Sequence, residues 1–416
     1  MTLLGMALRS LRARRTVALL TVLGLALAVA LPSVVLIVRE QAEAALLQEG
    51  EGVDLVVGGK GSGLQLVLSV VHHLDQPTGN MPYALYETLR EDARISHAVP
   101  FALGDNVMGF RIVGTRPSFF DWEPRMRTPT PQPWAALRSG RPFSEAFEVV
   151  IGDTVARSLG LSLGDSFVGS HGLRFSPGTE HADFPYTVVG IFAPTGGTID
   201  RLVIGTLEAV WAVHEADEAF HRNLFQGVDR GPQPREVTAV WLRLRSPGTR
   251  LWMQQEINRT TDAMAAIPVD ELHRLYQRVL RPVERGMLAI AAAVALVSGL
   301  SVLTTQLQAA LQRRRDRAVL RMLGARPAEV LWLIWLETFW MTAAGLLLGL
   351  LAAHGGLALA GPLLPADLLP GLNPWTFAPW QGRVLVGVAA LSLACGLLPA
   401  LLVYHRSPVE ALQNDN

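Results

Sequence analysis

The residues with the most obvious capacity for chemistry form a glycine-rich segment around one lysine. The segment Gly58-Gly59-Lys60-Gly61-Ser62-Gly63 holds the only lysine of the 416 residues. A phosphate-binding loop needs Gly-x4-Gly-Lys followed by Ser or Thr, so that backbone N–H groups and the lysine surround the phosphates. Gly61 follows Lys60 instead, and the glycines also miss the Gly-x-Gly-x-x-Gly spacing of dinucleotide sites. We therefore expect no ATP hydrolysis by this chain, and a flexible glycine loop. The alternative is that this glycine-rich segment covers a bound substrate or partner.

Histidine is the next candidate for chemistry, because eight of the ten histidines lie between residues 39 and 285. His72, His73 and Asp75 form a dense group. A metal site needs three or four converging ligands, and His-His-x-Asp is not a recognised spacing. The sequence contains no His-Glu-x-x-His. We expect solvated or helix-surface histidines, with no metal, no cofactor and no catalytic residues.

Composition argues against two further classes of protein. The formal net charge is zero, with 36 basic and 36 acidic residues, so no nucleic-acid-binding surface is indicated. The single cysteine, Cys395, cannot form an internal disulfide, and the chain has no thiol pair for redox chemistry. We expect Cys395 to be a small apolar packing residue.

Four long apolar runs dominate the rest of the sequence. A run of about 20 apolar residues spans a bilayer as a helix, and short arginine-rich loops stay in the cytoplasm. The expected spans are residues 16–38, 286–311, 330–361 and 384–404. Arginine counts place the N-terminus (1–15), a link (312–329) and the tail (405–416) inside the cell. They place a large domain with helical stalks (39–285) and a short loop (362–383) outside.

A cleaved signal peptide is the alternative for the first run, because Ala28-Val29-Ala30 could be a cleavage site. The apolar run continues eight residues past that site, which is too long for an ordinary signal peptide. We therefore expect a retained membrane anchor.

The outer segment has the pattern of a mixed α/β domain. Short β-rich runs are expected to be strands at 53–57, 111–113, 149–151, 187–191, 202–204 and 238–244. Helical patterns occur at 82–92, 153–159, 207–217, 250–266 and 269–280. Turns are expected at Gly58-Gly59 and at 77–80. The expected fold class is four transmembrane α-helices with a large α/β periplasmic domain inserted between helices 1 and 2.

Several motifs resemble those of one family. Residues 313–325 (RRRDRAVLRMLGA) resemble the basic, leucine-rich signature that precedes the third span of FtsX-like ABC transporter permeases. The tail at 407–412 (SPVEAL) and the start at 7–12 (ALRSLR) are similar to the family's ends. Segments 137–143, 149–153, 159–165 and 188–192 resemble the periplasmic core domain of MacB-like macrolide exporters and lipoprotein-releasing permeases. The segment from Val53 to Met81 departs from that pattern.

The resemblance implies one permease subunit of a dimeric ABC system in the inner membrane, with both termini in the cytoplasm. The implied partners are a separate ABC ATPase, a second permease copy as homodimer or paralogous heterodimer, and a periplasmic adaptor or substrate-binding partner. Such a permease relays the motion of the ATPase to the outer domain, for export or extraction of a lipid, lipoprotein, drug or peptide. A transmembrane signalling scaffold that activates a periplasmic hydrolase or sensor is the alternative.

The helices needed for such a relay can be traced in the sequence. The first span runs into strong helix formers at 39–47, and the second is entered through 275–280, with a bend expected at Pro282. We expect these two helices to act as stiff levers, and the alternative is that they are plain helical linkers. Gly324-Ala325 should end the cytoplasmic helix, and Pro327 should start the next one.

Two groups of residues are candidates for function. Those implied to meet the ATPase are Arg313, Arg314, Arg315, Arg317, Leu320, Arg321, Leu323 and Gly324. Arginines that bind lipid phosphates are the alternative for this group. Glu337 is a carboxylate inside the third span, about 15 Å along the helix from Pro327 at 1.5 Å per residue. It either pairs with a neighbouring span near the interface or takes part in dimer packing or coupling.

The arginine asymmetry predicts a labelling pattern. Single cysteines at Ser10 and Ser176, in a Cys395→Ser background, should react differently with an impermeant maleimide. In intact cells, position 176 should be labelled and position 10 should not. Labelling of position 10 without position 176 would invert the topology.

Overall fold

The computed structural model describes residues 5, 9, 11–50, 52–122, 135–172, 180–224, 234–312, 326–361 and 372–404. Glu43–Arg278 belongs to one compact unit, and the long helices belong to a second. Each unit is described by itself below.

Ten helices are named here in chain order. They are α1 Arg15–Glu49, α2 Gly63–Val70, α3 Tyr83–Glu91, α4 Asp153–Leu159, α5 Leu207–Leu224, α6 Arg250–Thr260, α7 Pro268–Leu275, α8 Arg281–Gln312, α9 Pro327–Ala360 and α10 Pro379–Tyr404. The strands are β1 Leu55–Gly59, β2 Met81–Pro82, β3 Ile95–Val107, β4 Phe110–Thr115, β5 Leu137–Gly140, β6 Glu148–Ile151, β7 Ser166–His171, β8 Glu180–Phe192, β9 Leu202–Thr206, β10 Glu236–Val237, β11 Ala239–Leu244 and β12 Ala263–Ala266.

Four of the described helices are long and apolar enough to cross a membrane. The candidate spans are Arg15–Ala44, Pro268–Gln308, Leu331–Ala360 and Pro379–Leu398. The protein is therefore a membrane protein with four such helices, and a large α/β domain is inserted between the first and the second. This is the fold class expected from the sequence.

The two helices that flank the inserted domain differ in regularity. Helix α1 is one unbroken helix of 35 residues, as the helix formers after the first span predict. Before α8, residues Tyr276–Leu280 form a π-helical turn, and Pro282 follows as the second residue of α8. Proline has no N–H to donate to the carbonyl four residues earlier, so a widened turn next to it avoids a regular bond that cannot form. The irregularity expected at Pro282 thus takes the form of a π turn.

Six strands of the inserted domain close into a ring. The pairs β3–β4, β4–β9, β9–β6, β6–β8 and β8–β7 are hydrogen-bonded in succession, and β7 then pairs with β3. Among the described residues this last contact has two pairs in register, Asp105 with His171 and Asn106 with Ser170. We call it the ring seam. On the far side of β3, strands β11, β1 and β12 extend the sheet in antiparallel order.

Two arginines in the 137–143 motif form ion pairs on and beside strand β6 of the ring. Arg138 forms an ion pair with the buried carboxylate of Asp153 at the start of α4. Arg141 forms a bidentate pair with Glu148 on β6, and the N–H groups of Ser144 and Glu145 donate to the same carboxylate at 2.8 and 3.1 Å. These bonds, with that of Arg141 first, lower the pKa of Glu148 to about 2.

The sign of that shift sets its effect on stability. Because the pKa of Glu148 is lower in the folded protein than the ordinary value of 4.5, its contribution is complete above that ordinary value. The contribution is lost as the pH falls towards about 2. The motif therefore stabilises this part of the ring at neutral pH.

Two local expectations are wrong. The helix expected at 250–266 ends at Thr260, and Ala263–Ala266 forms edge strand β12 against β1. Tertiary pairing overrides the helix propensity of its alanines here. Gly58-Gly59 is not a turn, because both residues belong to β1 and pair with β12. Ser62 then caps α2 by accepting a hydrogen bond from the N–H of Gln65.

The glycines of this segment allow close packing. A Cβ at Gly58 would lie 2.5 Å from Leu66 Cδ1 and 2.9 Å from the carbonyl oxygen of Thr238. A Cβ at Gly59 would lie 2.8 Å from the carbonyl carbon of Gly79. Thr78 Oγ1 also donates to the carbonyl of Gly59 at 2.8 Å. Glycine at both positions therefore lets β1 approach α2 and the 76–79 loop.

This packing predicts the effect of one methyl group. Gly58→Ala should lower the free energy of unfolding by about 1–3 kcal/mol, as overpacking of a filled site does. Gly248→Ala is the matched control, because its Cβ would have Ser246 Oγ at 3.8 Å as its nearest neighbour. Pulse proteolysis of the full chain in urea measures both. Equal midpoints for Gly58→Ala and the control would show that the segment is loosely packed.

Candidate functional site

The membrane helices pack through small residues. A Cβ on Gly345 of α9 would lie 2.6 Å from Leu25 Cβ, and one on Gly349 would lie 2.7 Å from the carbonyl oxygen of Ala26 on α1. Gly345 and Gly349 are four residues apart, so they share one face of α9. Such a small-x3-small pattern lets two helix backbones come close within a bilayer. Helix α9 therefore lies against α1 with almost no side-chain spacer.

Polar side chains on the same helices pair across the bundle. Gln306 Nε2 on α8 donates to Thr338 Oγ1 on α9 at 3.0 Å. The hydroxyls of Thr342 on α9 and Ser392 on α10 lie 2.6 Å apart, and both residues are buried. Water is scarce at membrane depth, so polar groups there need partners within the protein. Helix α9 is thus hydrogen-bonded to both α8 and α10.

Glu337 lies on the buried face of α9, next to Thr338. Its exposure is 9%, and buried residues recur along this face at Ile334, Met341 and Gly345. A carboxylate in a membrane helix normally faces the bundle interior or water, because lipid is costly for a charge. The structure places Glu337 on the interior face of α9, and its expected role in pairing, dimer packing or coupling stays a prediction.

Three consecutive residues of α1 bind three different neighbours, and we call this group with its partners the collar. Arg39 donates to Glu284 Oε1 on α8 at 3.0 Å, and Glu40 Oε2 accepts from Trp380 Nε1 on α10 at 2.8 Å. Gln41 donates to the carbonyl of Asn373 at 2.8 Å and accepts from the N–H of Asn373 at 2.7 Å. Successive residues of an α-helix point about 100° apart, which is why three neighbours can bind three adjacent positions.

A second set of bonds holds the segment between α9 and α10. His354 Nδ1 on α9 donates to the carbonyl of Pro374 at 2.6 Å, and Gln381 Nε2 donates to His354 Nε2 at 3.2 Å. Because a carbonyl can only accept and an amide nitrogen can only donate, Nδ1 is the donor and Nε2 the acceptor in these two hydrogen bonds. Trp375 stacks on the same ring at a centroid distance of 6.2 Å. The segment that binds Gln41 is therefore also fixed to α9.

The residues implied to meet the ATPase lie outside the described part of the chain. Arg313 to Gly324 are among them, so their arrangement remains an expectation. The helix that follows starts at Pro327, as expected, and the N–H of Arg326 donates to Glu329 Oε2 at 2.9 Å. Cys395 also behaves as expected, since it is a free thiol packed against the apolar cluster around Leu25 and Val29.

The sequence analysis predicts solvated or helix-surface histidines at 72 and 73, and the structure differs from this prediction. His72 is 2% exposed, because it directly follows the last turn of α2, which is buried in the core. Burial lowers the pKa of His73 to about 3, with further contributions from Arg111 and His72. His72 is buried and His73 is half-buried, so the expectation of solvated or helix-surface histidines is wrong for this pair.

Sequence reasoning missed the collar as a site. It treated Arg39, Glu40 and Gln41 only as helix formers, because their partners lie some 245 to 340 residues further along the chain. The one local signal is that these are the first polar residues after the apolar run.

Comparison with known proteins gives two family matches. Residues 18–259 match the MacB-like periplasmic core domain, and residues 288–408 match the FtsX-like permease C-terminal domain. The second match includes the 313–325 link. No curated protein matches the sequence.

Two solved structures are similar to parts of the chain. The periplasmic region of MacB from Actinobacillus actinomycetemcomitans is 14% identical, with 55% of this chain and 95% of that one covered and a TM-score of 0.33. The extracellular domain of the noncanonic ABC-type transporter YknZ from Gram-positive bacteria is 10% identical, with 51% and 98% covered and a TM-score of 0.29.

The core-domain match alone covers more than half of the 416 residues, and the permease match overlaps the second apolar helix and includes the third and fourth candidate spans. The order of the two matches is also the order of the inserted domain and the later spans. The chain therefore belongs to the FtsX/MacB-type family of ABC transporter permeases.

Proposed function

We propose that this chain is the permease subunit of an ABC transporter that relays ATP-driven motion of a separate ATPase to its outer domain. The relay serves export or extraction of a lipid, lipoprotein, drug or peptide. The observation that carries the proposal is the collar, which joins α1 to the other membrane helices at the point where its apolar run ends.

The collar gives the relay its mechanical basis. Residues 39, 40 and 41 bind α8, α10 and the segment before α10, so a displacement of these elements acts on α1 from several sides. Helix α1 continues to Glu49, and its hydrogen bonds make it stiff along its axis. Motion applied at the collar is therefore carried along the helix rather than absorbed in a loop.

The same proposal assigns sides and partners. The arginine-rich N-terminus, the 313–326 link and the C-terminal tail lie in the cytoplasm, and the Glu43–Arg278 unit lies outside the inner membrane. The ATPase binds the link, where Leu320 and Leu323 offer apolar contacts between arginines that bind acidic groups. A second permease copy completes the transporter, and a periplasmic adaptor or substrate-binding protein contacts the outer domain.

The collar can be tested without knowing the substrate. In the Arg39→Met, Gln41→Leu double variant, ATP should no longer change hydrogen exchange in the outer domain, because the polar contacts to α8 and to Asn373 are gone. Hydrogen exchange of the permease–ATPase complex, with and without ATP and vanadate, measures this. Arg285→Met is the matched control, since it removes an exposed arginine close to Glu284.

The control should respond to ATP as the wild type does, and all three complexes should retain the ATPase. A double variant with a full ATP-dependent change in the outer domain would show that the collar does not transmit motion.

The proposed ATPase-binding link at residues 313–326 gives a separate prediction. Leu320→Asp with Leu323→Asp should abolish co-purification of the ATPase, because charge replaces apolar contacts in the link. Leu320→Met with Leu323→Met keeps apolar volume and should retain the ATPase, which separates this model from arginines binding lipid alone. Pull-down from membranes and ATPase assays measure the effect. Full binding and activity of the aspartate variant would place the coupling surface elsewhere.

A further inference from the structure

Three histidines surround a buried carboxylate in the outer domain. Asp105, His171 and His214 each offer one ligand atom, and these atoms all lie within 4.8 Å of one another. His181 is a fourth member, with its Nε2 3.8 Å from Asp105 Oδ1, while His171 Nδ1 is 3.6 Å from the same oxygen. The ring centroids of His171 and His214 are 5.5 Å apart. We call these four residues the seam cluster.

The fold brings the seam cluster together from four elements. Asp105 lies on β3 and His171 lies opposite it on β7, in one of the two residue pairs that close the ring. His181 is on β8, and His214 is on α5. The cluster therefore sits at the ring seam, where the sheet is held by few backbone bonds.

The backbone around the cluster is shaped to fit the imidazoles. The β3–β4 register shifts between Leu103 and Asp105, so Gly104 lies in a bulge. A Cβ at Gly104 would lie 3.1 Å from both Cε1 and Nε2 of His214, so a larger residue there would crowd the ring. The N–H of Gly172 donates to the carbonyl of Gly104 at 2.7 Å. Bulges commonly re-aim side chains in this way.

A buried amide fixes the neighbouring strand ends. Asn106 is fully buried, and its Nδ2 donates to the carbonyls of Ser170 at 3.3 Å and Gly172 at 2.8 Å. Its Oδ1 accepts from the N–H of Gly109 at 3.0 Å. Asp105 and His171 are next to these residues, so their backbone positions are set before any ligand binds.

We propose that the seam cluster is a binding site for a zinc-type divalent metal ion. Imidazole and carboxylate are ordinary ligands of Zn²⁺, and three histidines with one aspartate make a complete tetrahedral set. With metal–ligand bonds of about 2.0–2.1 Å, neighbouring ligand atoms of a tetrahedron lie about 3.3 Å apart. The 3.6 and 3.8 Å from Asp105 Oδ1 to His171 and His181 approach this value, and the ligand atoms of Asp105, His171 and His214 lie within 4.8 Å of one another, so binding requires side-chain rotation that shortens these distances.

Access and charge fit the same assignment. The Asp105 side chain is 1% exposed and that of His181 is 12% exposed, whereas that of His171 is 55% exposed. An ion can therefore enter from the His171 side and reach a largely enclosed carboxylate. A divalent cation would interact favourably with the carboxylate oxygens of Asp105 in this enclosed position.

The bound ion would have a structural effect. It would join β7, β8 and α5 to β3 across the seam, adding metal–ligand bonds where two residue pairs close the ring. Binding to the folded state alone raises stability with ligand concentration. The inference does not depend on the ATPase relay, so its failure would leave the proposed function untouched.

The competing explanation is an ion-pair cluster, in which protonated imidazoles compensate Asp105 without a metal. The full chain, purified without a polyhistidine tag, separates the two when titrated with Zn²⁺ against a chromophoric chelator. Wild type should bind one Zn²⁺ per chain and unfold at a higher temperature with zinc. Co²⁺ in its place should give the visible absorption of a tetrahedral site.

Variants assign the ligands. His171→Ala and Asp105→Asn should weaken Zn²⁺ binding at least about tenfold and remove the zinc-dependent shift of the unfolding temperature. His97→Ala is the control, because His97 is an exposed histidine on the same strand as Asp105. It should bind as wild type does. Unfolding temperatures measured with a chelator show that His171→Ala is folded, as expected for an exposed side chain.

Three results would overturn the proposal. The first is that wild type takes up no zinc. The second is that zinc uptake is unchanged in His171→Ala. The third is that His97→Ala loses as much zinc binding as His171→Ala does.

Discussion

The length of helix α1 is the constraint on which much of the membrane unit depends. A helix of 35 residues is about 52 Å long at 1.5 Å per residue, whereas the hydrocarbon core of a bilayer is about 30 Å thick. Its last turns must therefore leave the apolar layer and exchange lipid contacts for polar ones. Arg39, Glu40 and Gln41 do this by binding three neighbours at once. The collar thus follows from a helix that is longer than the membrane it crosses.

Within the apolar layer, two different interactions hold the helices together. Lipid tails are as apolar as leucine, so burial of apolar side chains alone gives little preference for helix contact. Gly345 and Gly349 let α9 approach α1 closely, which increases dispersion contacts. Thr338 and Thr342 add hydrogen bonds to α8 and α10. Helix α9 consequently contacts all three other helices, and Glu337 is buried among these contacts.

In the outer unit the main structural constraint is the closure of the sheet into a ring. Five strand pairs of the ring have three to five residue pairs each in register, and the sixth, the seam between β3 and β7, has two among the described residues. Asn106 fastens the seam with side-chain bonds, and the cluster around Asp105 gathers at the same place. The ion pairs of Arg138 with Asp153 and of Arg141 with Glu148 lie just after and on strand β6. Closure relies on side chains where the backbone supplies few bonds.

The sequence by itself determined the four membrane helices and most strands of the outer domain, because hydropathy and short β-rich runs are local properties. It also determined the start of α9 at Pro327, since proline fits the first turn of a helix. The edge strand β12 could not be predicted, because the helix propensity of Ala263–Ala266 is overridden by pairing with β1. Gly58-Gly59 looked like a turn, yet its glycines serve close approach to Leu66 and Gly79.

The candidate sites show the same division. Glu337 could be found from the sequence, because a charge inside an apolar run is conspicuous by itself. The collar and the seam cluster could not, since their members are far apart in the chain and no spacing rule connects them. Asp105 meets His171 only through the β3–β7 register, and Gln41 meets Asn373 only after the helices have packed. Local patterns set which elements form, whereas the contacts between distant elements, decided by packing, set which side chains can act together.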